Sequence, residues 1–364
     1  MGVSCGLIGL ANVGKTTVFN ALLGGKALVA NYPFSTVETN VGIAAVPDPR
    51  LPKLSQIFKS RKITPSTLEV RDIAGLVEGA SQGEGLGNQF LAQIREVDAL
   101  IHIVRCFEAS DVIHVGGAVD PVRDVETVET ELMLADLETL GRRRQRAEKR
   151  VKSGGDEKAK KELEALDQLT ERLNRGRWLA HETLGDEEVI LLNECQLLSG
   201  KPLLILANAA EGASREHPSV KPLSQLAEDK GAPLIVLWAQ LEAEVASLTP
   251  DEQRDYLREL GFKESGLVQL TQAAYALLSL LTFFTAGEEE SRAWPLRSGT
   301  KASRAAGKIH SDMERGFIRA EVYPYVDLIA CGTVAGVREK GLFRLEGRDY
   351  VIQEGDVVYF RFNV

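Results

Sequence analysis

The first ten residues are a short apolar run that breaks at Gly9, and a run bounded by glycine predicts a buried strand. Residues 16–23 (TTVFNALL) follow as a predicted helix. Further strands are predicted at residues 66–73 (STLEVRDI), 99–104 (ALIHIV), 202–207 (PLLILA) and 233–238 (PLIVLW). Several of these are near-continuous apolar runs, the pattern of strands covered on both faces. Helical segments separate them. The alternation predicts an α/β fold, a mainly parallel sheet with helices on both sides.

The alternation stops between residues 125 and 198. There Leu163, Leu166, Leu169 and Leu173 recur at three and four residues and share one helix face. Ser153-Gly154-Gly155-Asp156 interrupts the pattern, which predicts two long antiparallel helices joined at a Gly-Gly turn. This hairpin interrupts the sheet domain, because strand-like runs resume at Pro202. From near Leu281 a third region carries an acidic run (Glu288, Glu289, Glu290) and a helix-like piece over residues 301–315. Strand-like runs follow at 320–325, 350–352 and 357–362, with a turn signal at Gln353-Glu354-Gly355-Asp356. The expected division is residues 1–126 with 198–280 for the sheet domain, 127–197 for the hairpin and 281–364 for a small α+β module.

Composition narrows the class. Of 364 residues, 44% are hydrophobic and 26% charged, the balance of a globular chain and too apolar for a disordered one. The net charge of −9 argues against coating nucleic acid over the whole surface and leaves local basic patches open. One such patch is Arg142, Arg143, Arg144, Arg146, Lys149, Arg150 and Lys152, opposed only by Glu148. It reads either as an RNA phosphate contact or as a solvated helical face. Cys5, Cys106, Cys195 and Cys331 form no C-x-x-C pair and the five histidines do not cluster, so neither a disulfide framework nor a zinc site is expected. That usage fits a reducing cytoplasm. The longest apolar stretch, residues 273–286, is too short to span a bilayer, and no membrane partner is expected. The opening MGVSCGLIGL lacks the basic segment of a secretory leader.

The chemistry is concentrated in four places. Gly9-Leu10-Ala11-Asn12-Val13-Gly14-Lys15-Thr16 fits G-x-x-x-x-G-K-[ST] between a predicted strand and helix. Its glycines let backbone N–H groups turn inward around phosphates, Lys15 reaches the β and γ oxygens, and Thr16 offers a hydroxyl to Mg²⁺. The helix adds its positive end. Asn12, Val13, Gly14, Lys15, Thr16 and Thr17 are therefore the expected nucleotide contacts here. Asp72-Ile73-Ala74-Gly75 ends a strand, where the Asp can hold Mg²⁺ and the Gly75 N–H can meet the γ-phosphate. Between the two, Asn31 to Thr39 should supply a second Mg²⁺ ligand, Thr36 or else Thr39. Fourth, Asn208-Ala209-Ala210-Glu211 stands where GTPases place Asn-Lys-x-Asp. Their Asp accepts from guanine N1–H and N2–H₂, donors that adenine lacks. Glu211 is too long to sit in that place, so the guanine lock is missing, while Asn208 can still meet the N7/N6 edge of adenine. Asn208, Ala209 and Glu211 are the expected base contacts.

These residues carry a resemblance. GLANVGKTT, NYPFSTVETNVG, DIAGLVEGASQGEGLGNQF, HVGGAVDPVRD, ANAAEG and DYVIQEGDVVYFRF are similar to the YchF/Obg-like ATPases, a branch of the translation-factor GTPases, over essentially the whole chain. The resemblance implies a P-loop domain, a helical insertion and a C-terminal TGS (β-grasp) module. It also implies Mg²⁺-dependent ATP hydrolysis, often with some GTP use, and binding to the ribosome or its RNA. A monomer is expected. It supports Lys15, Thr16 and Thr36 in the roles above and matches Asn208 and Glu211 to the family's Asn-x-x-Glu motif. Three departures stand out: Ala11 for the usual Pro, Thr16 for Ser, and Trp238-Ala239-Gln240 for Ser/Cys-Ala-Lys in the last base-contact loop.

Hydrolysis needs a helper. Ras-like enzymes orient the attacking water with a Gln after the D-x-x-G glycine. Here that residue is Leu76, so a slow intrinsic rate is expected. His114, in His114-Val115-Gly116-Gly117, is one candidate by titration range and by the resemblance. A monovalent cation is the other, since Asn12 stands where potassium-activated relatives hold K⁺. Three functions follow for testing: a slow ATPase switch on the ribosome, a GTPase with relaxed base choice, and a nucleotide-gated binding module with incidental turnover. A metabolic kinase fits least, because no small-substrate pocket motif is visible.

Overall fold

The computed structural model describes residues 3–24, 40–75, 86–109, 114, 117–154 and 157–363. In chain order the strands are β1 (Ser4–Ile8), β2 (Asn40–Val46), β3 (Lys62–Thr64), β4 (Ser66–Asp72), β5 (Ala99–Cys106) and β6 (Leu203–Ala209). There follow β7 (Leu234–Leu237), β8 (Leu280–Ala286), β9 (Glu290–Arg297), β10 (Phe317–Pro324), β11 (Arg344–Glu346) and β12 (Asp356–Phe362). The chain divides into two compact units, Met1–Ile43 with Glu69–Ala274, and Ala44–Leu68 with Tyr275–Val364.

The first sheet has the order β2-β4-β1-β5-β6-β7. β1 pairs in parallel with β4 and β5, β5 with β6, and β6 with β7. Every residue of β1, β5 and β6 is buried, as strands covered on both faces require. Because these strands run in parallel, their C-terminal ends share one edge. Gly9, Asp72, Phe107, Asn208 and Trp238 all lie at or just past those ends, which is where open α/β sheets bind ligands.

The expected hairpin is present as helices Pro121–Lys152 and Glu157–Asn174. The first begins cleanly: Asp120 accepts from the Arg123 N–H at 3.2 Å and Pro121 occupies the first turn, where its missing N–H costs nothing. Gly154 takes the left-handed φ of +89° that the turn demands. Leu166, Leu169 and Leu173 are buried along the predicted stripe. Arg143 pairs with Glu162 at 2.7 Å, Arg144 with Asp167 at 2.6 Å, and Arg150 also reaches Glu162, a register that only antiparallel helices produce. Asp136 ties the hairpin to the sheet domain's returning chain, accepting from the backbone of Leu198 and Ser199 at 2.8 Å each.

The second unit holds a sheet of order β11-β10-β12-β8-β9-β3. Phe283, Ala305, Val322 and Phe360 pack on one side, and Leu51, Phe284, Tyr323 and Leu328 on the other. Residues Ala44–Leu68 were expected within the first domain and instead fold with this unit. The reason is long-range pairing: β3 aligns in parallel with β9, Lys62 opposite Glu290. Arg50 adds to it, reaching Glu354 at 2.6 Å with its guanidinium 4.8 Å from the Phe284 ring. The strand-like run at 350–352 is a single bridge, Val351 to Lys301. Residues 301–315 form two helices, Ala302–Ile309 and Ser311–Arg315, because the His310 ring caps the second. No helix among the described residues is long and apolar enough to cross a membrane.

Candidate functional site

The cradle between β1 and the Lys15–Leu22 helix is built by backbone conformations that few residues tolerate. Gly14 has φ +98°, and a Cβ there would lie 2.4 Å from Asn208 Nδ2. A Cβ on Gly9 would lie 2.4 Å from the Ile103 carbonyl oxygen. Asn12 itself adopts φ +62°, a left-handed position that Asn accepts more readily than most.

Lys15 folds back into this loop. Its Nζ donates to the carbonyls of Leu10 at 2.7 Å and Gly9 at 3.2 Å, and the side chain is almost sealed from solvent. Burial pushes its ammonium down to about 8, against the opposing pull of Asp72. The Thr16 hydroxyl donates to Asp72 Oδ2 at 2.8 Å. Burial raises the Asp72 carboxyl above the usual range, outweighing the Thr16 hydrogen bond and the Lys15 charge. A buried carboxylate with its charge only partly answered, beside a hydroxyl, is a hard oxygen donor set that suits Mg²⁺. Among the described residues no group of three His, Cys, Asp or Glu could hold a metal. Gly75 crowds the same place: a Cβ on it would come within 3.1 Å of Lys15 Nζ and 3.2 Å of the Ala11 backbone.

Asn208 joins the cradle to the base region. It is buried at the end of β6, its Nδ2 donates to the Val13 carbonyl at 2.9 Å, and its Oδ1 accepts from the Ala239 N–H at 3.2 Å. Two cavities result. One of 440 Å³ is lined by Lys15, Thr16, Asp72 and Gly75. The other, of 700 Å³, is lined by Asn208, Ala209, Glu211 and Trp238. Asn12, Gly14 and Thr17 line both, so the two adjoin at the cradle. A pocket over the cradle beside a larger, partly apolar one is an arrangement that suits a nucleotide.

The structure thus brings together Asn12, Val13, Gly14, Lys15, Thr16, Thr17, Asp72, Gly75, Asn208, Ala209 and Glu211. Glu211 is exposed at the rim of the larger cavity. Thr36, its alternative Thr39, and Leu76 lie outside the described residues. His114 is buried, its Nε2 2.8 Å from Asp124 Oδ2 in the first turn of the hairpin helix, and it lines neither cavity. The basic run on that helix is largely answered within the protein. Arg142, Arg143, Arg144, Arg150 and Lys152 pair with Glu138, Glu162, Asp167 and Glu148, which leaves Arg146 and Lys149 without an ion pair among the described residues.

Sequence reasoning missed one wall of the larger cavity, Phe107, Glu108 and Ala109. The signal was available: an aromatic residue directly past the end of a parallel strand beside the strand that carries the base motif. Trp238, the departure from the family's last base loop, is held in place. Its Nε1 donates to the Ala213 carbonyl at 2.9 Å and its ring meets Phe262 edge-on at 5.3 Å.

Comparison with known proteins agrees with this geometry. Residues 4–146 match the family model described as a 50S ribosome-binding GTPase. Residues 280–363 match the YchF-GTPase C-terminal model, described as a protein of unknown function. The Ribosome-binding ATPase YchF of Haemophilus ducreyi is 48% identical over 364 residues, covering 100% of both chains. Its Bacillus subtilis counterpart is 47% identical over 367 residues, again covering 100% of both. Among solved structures, that of the Schizosaccharomyces pombe YchF GTPase matches with a TM-score of 0.86 and 31% identity, covering 99% of this chain and 98% of that one. A GTP binding protein from Pyrococcus horikoshii OT3 shares the fold, with a TM-score of 0.59 at 21% identity over 99% and 100% of the two chains.

Proposed function

The chain belongs to the YchF family, and on that premise we propose that it is a ribosome-binding ATPase whose nucleotide spans the two adjoining cavities, phosphates over Lys15 and base beside Asn208. The observation that carries this reading is the replacement of the guanine-reading Asp by Glu211 at the rim of a cavity that Asn208 ties to the cradle. An Asp that has lost its guanine partners would face adenine N1, an acceptor, and stay unpaired. The longer Glu211, exposed to water, avoids that cost and admits adenine.

Thr16 and Asp72 are the residues that would hold Mg²⁺, with Thr36 as the further ligand from the preceding loop. Mg²⁺, when bound, supplies charge neutralisation on the β and γ oxygens. Lys15 and the Gly75 N–H orient the γ-phosphate, and Asn12, Val13, Gly14 and Thr17 present the cradle's remaining contacts. The helper in hydrolysis is His114 or a K⁺ ion at Asn12. Asp124 on His114 supports the first, because a carboxylate on one ring nitrogen fixes the orientation and tautomer of an imidazole. Asn12 supports the second by lining both cavities. The reading is of a monomer, and action in the cytoplasm suits its four free cysteines. On this reading the chain is a P-loop domain (1–126 and 198–280), a hairpin (127–197) and a TGS module (281–364), with Ala44–Leu68 belonging to the C-terminal unit.

The second reading, a GTPase with relaxed base choice, is favoured by the description of the fission-yeast relative as a GTPase. Equilibrium binding of labelled ATP and GTP analogues with Mg²⁺, to the wild type and to Glu211→Asp, separates the two. Tighter ATP binding by the wild type is expected. Equal or tighter GTP binding overturns the base argument.

A further inference from the structure

Arg105 heads the fully buried side chains of the described residues by size, at 1% exposure. It sits near the end of β5, directly opposite Asn208 in the parallel register with β6. Its sheet neighbours along β5, Val104 and Cys106, are the small apolar residues such a position ordinarily takes. A permanently charged guanidinium there is costly unless its donors are used. Its Nε donates to the Phe107 carbonyl at 3.0 Å and a terminal nitrogen to the Ala109 carbonyl at 3.4 Å. The guanidinium carbon also lies 4.7 Å from the centroid of the Phe107 ring.

These contacts fall on the wall of the larger cavity that the sequence reading missed. Phe107, Glu108 and Ala109 line it together with Asn208 and Trp238. We infer that Arg105 is a positioning residue for the nucleotide base: its planar fork grips the carbonyls of Phe107 and Ala109, curls the chain leaving β5, and sets the Phe107 ring and the width of the base cavity. A side chain with a rigid, multi-donor fork is needed, because the two acceptors lie two residues apart and must be held at once. Lysine keeps the charge but has a compact head on a flexible stem, so it cannot hold both carbonyls in one geometry. The two carbonyls it grips belong to the wall of the base cavity, so the effect should fall on the base more than on the phosphates. The inference rests on the proposed placement of the base in this cavity.

The test compares two ligands, ATP and inorganic tripolyphosphate, each with Mg²⁺. Tripolyphosphate occupies the cradle and has no base. Their dissociation constants are measured calorimetrically for the wild type, Arg105→Lys and Arg105→Met, with a thermal melt of each variant. Arg105→Lys should weaken ATP about tenfold, the scale of one lost charge-assisted hydrogen bond. Its tripolyphosphate affinity should change by less than about twofold. Where Arg105→Met fails to fold, Arg105→Lys alone decides. Equal weakening of both ligands overturns the inference, since it would mark a general loss of structure, and unchanged ATP binding overturns it directly. Wild-type affinities that are the same for ATP and tripolyphosphate would instead overturn the placement of the base on which the inference stands.

Discussion

Thr16 donates its hydroxyl to Asp72 at 2.8 Å, closing the cradle after β1 onto the end of β4. Residues 56 positions apart are thereby brought to one oxygen-rich corner, yet burial still raises the Asp72 carboxyl. A carboxyl raised in the folded state destabilises when it ionises: the cost is absent at acid pH and fully present at neutral pH. Nucleotide-free Asp72→Asn should therefore melt no lower than the wild type. It should also lose the gain in ATP affinity that Mg²⁺ gives the wild type. Calorimetric ATP titrations with Mg²⁺ and with a chelator check this, and a variant that keeps the full Mg²⁺ effect would remove Asp72 from the metal site.

Lys15 carries a second prediction, in pH. Its ammonium is pushed down to about 8 because burial outweighs the attraction of Asp72. Below that pH the nucleotide-free protein already holds the proton. Above it the amine is neutral, and phosphate must bring the proton back. ATP affinity should therefore be flat at lower pH and fall by up to about tenfold per pH unit above pH 8. Binding there should take up a proton, visible as a dependence of the measured heat on the buffer's ionisation enthalpy. A pH-independent affinity with no proton uptake counts against this picture of Lys15.

Asn208 and Gly14 should behave as a coupled pair. Asn208→Ala strands the Val13 carbonyl and the Ala239 N–H, both buried, at a cost of about 2 kcal/mol. Gly14→Ala places a Cβ 2.4 Å from the Asn208 amide and forces φ +98° on alanine. The steric part of that cost vanishes when the amide is gone. The double variant should accordingly lose less stability than the two single losses added, measured by urea unfolding of all four proteins. Strict additivity would mean the two residues do not touch.

The cradle was legible because phosphate chemistry tolerates so few residues at each position. Lys15, Thr16, Asp72 and Asn208 all stand where motif and strand ends place them. The Phe107 wall was missed for want of a motif, although its place beyond β5 was readable. β9 was hidden by composition. It carries Glu290, Arg292 and Pro295, and proline cannot donate to a ladder. The structure admits it because β3 covers β9 only from Glu290 to Arg292, so Pro295 has its far side open. That same pairing links residues more than two hundred positions apart, which no local pattern of Lys62, Ile63 and Thr64 could announce.

The hairpin separates two roles within one basic run. Arg143 and Arg150 converge on Glu162, whose carboxyl is mostly sealed from solvent; burial opposes its charge, but the two arginines win and hold it below the usual range. Stability from this pair is present above the ordinary carboxylate pKa of about 4.3 and is lost as pH falls through the lower folded value. Arg143→Gln should lower the hairpin's melting temperature and erase part of that acid sensitivity. Arg146 and Lys149 are exposed and make no ion pair among the described residues, so they remain available to RNA phosphates. Replacing both with glutamine should leave melting unchanged. Ribosome binding should weaken, with the slope of log affinity against log salt reduced by about two. Ribosome co-sedimentation across a salt series reads this directly. An unaltered slope would place the RNA contact elsewhere and leave the exposed residues as a solvated helical face.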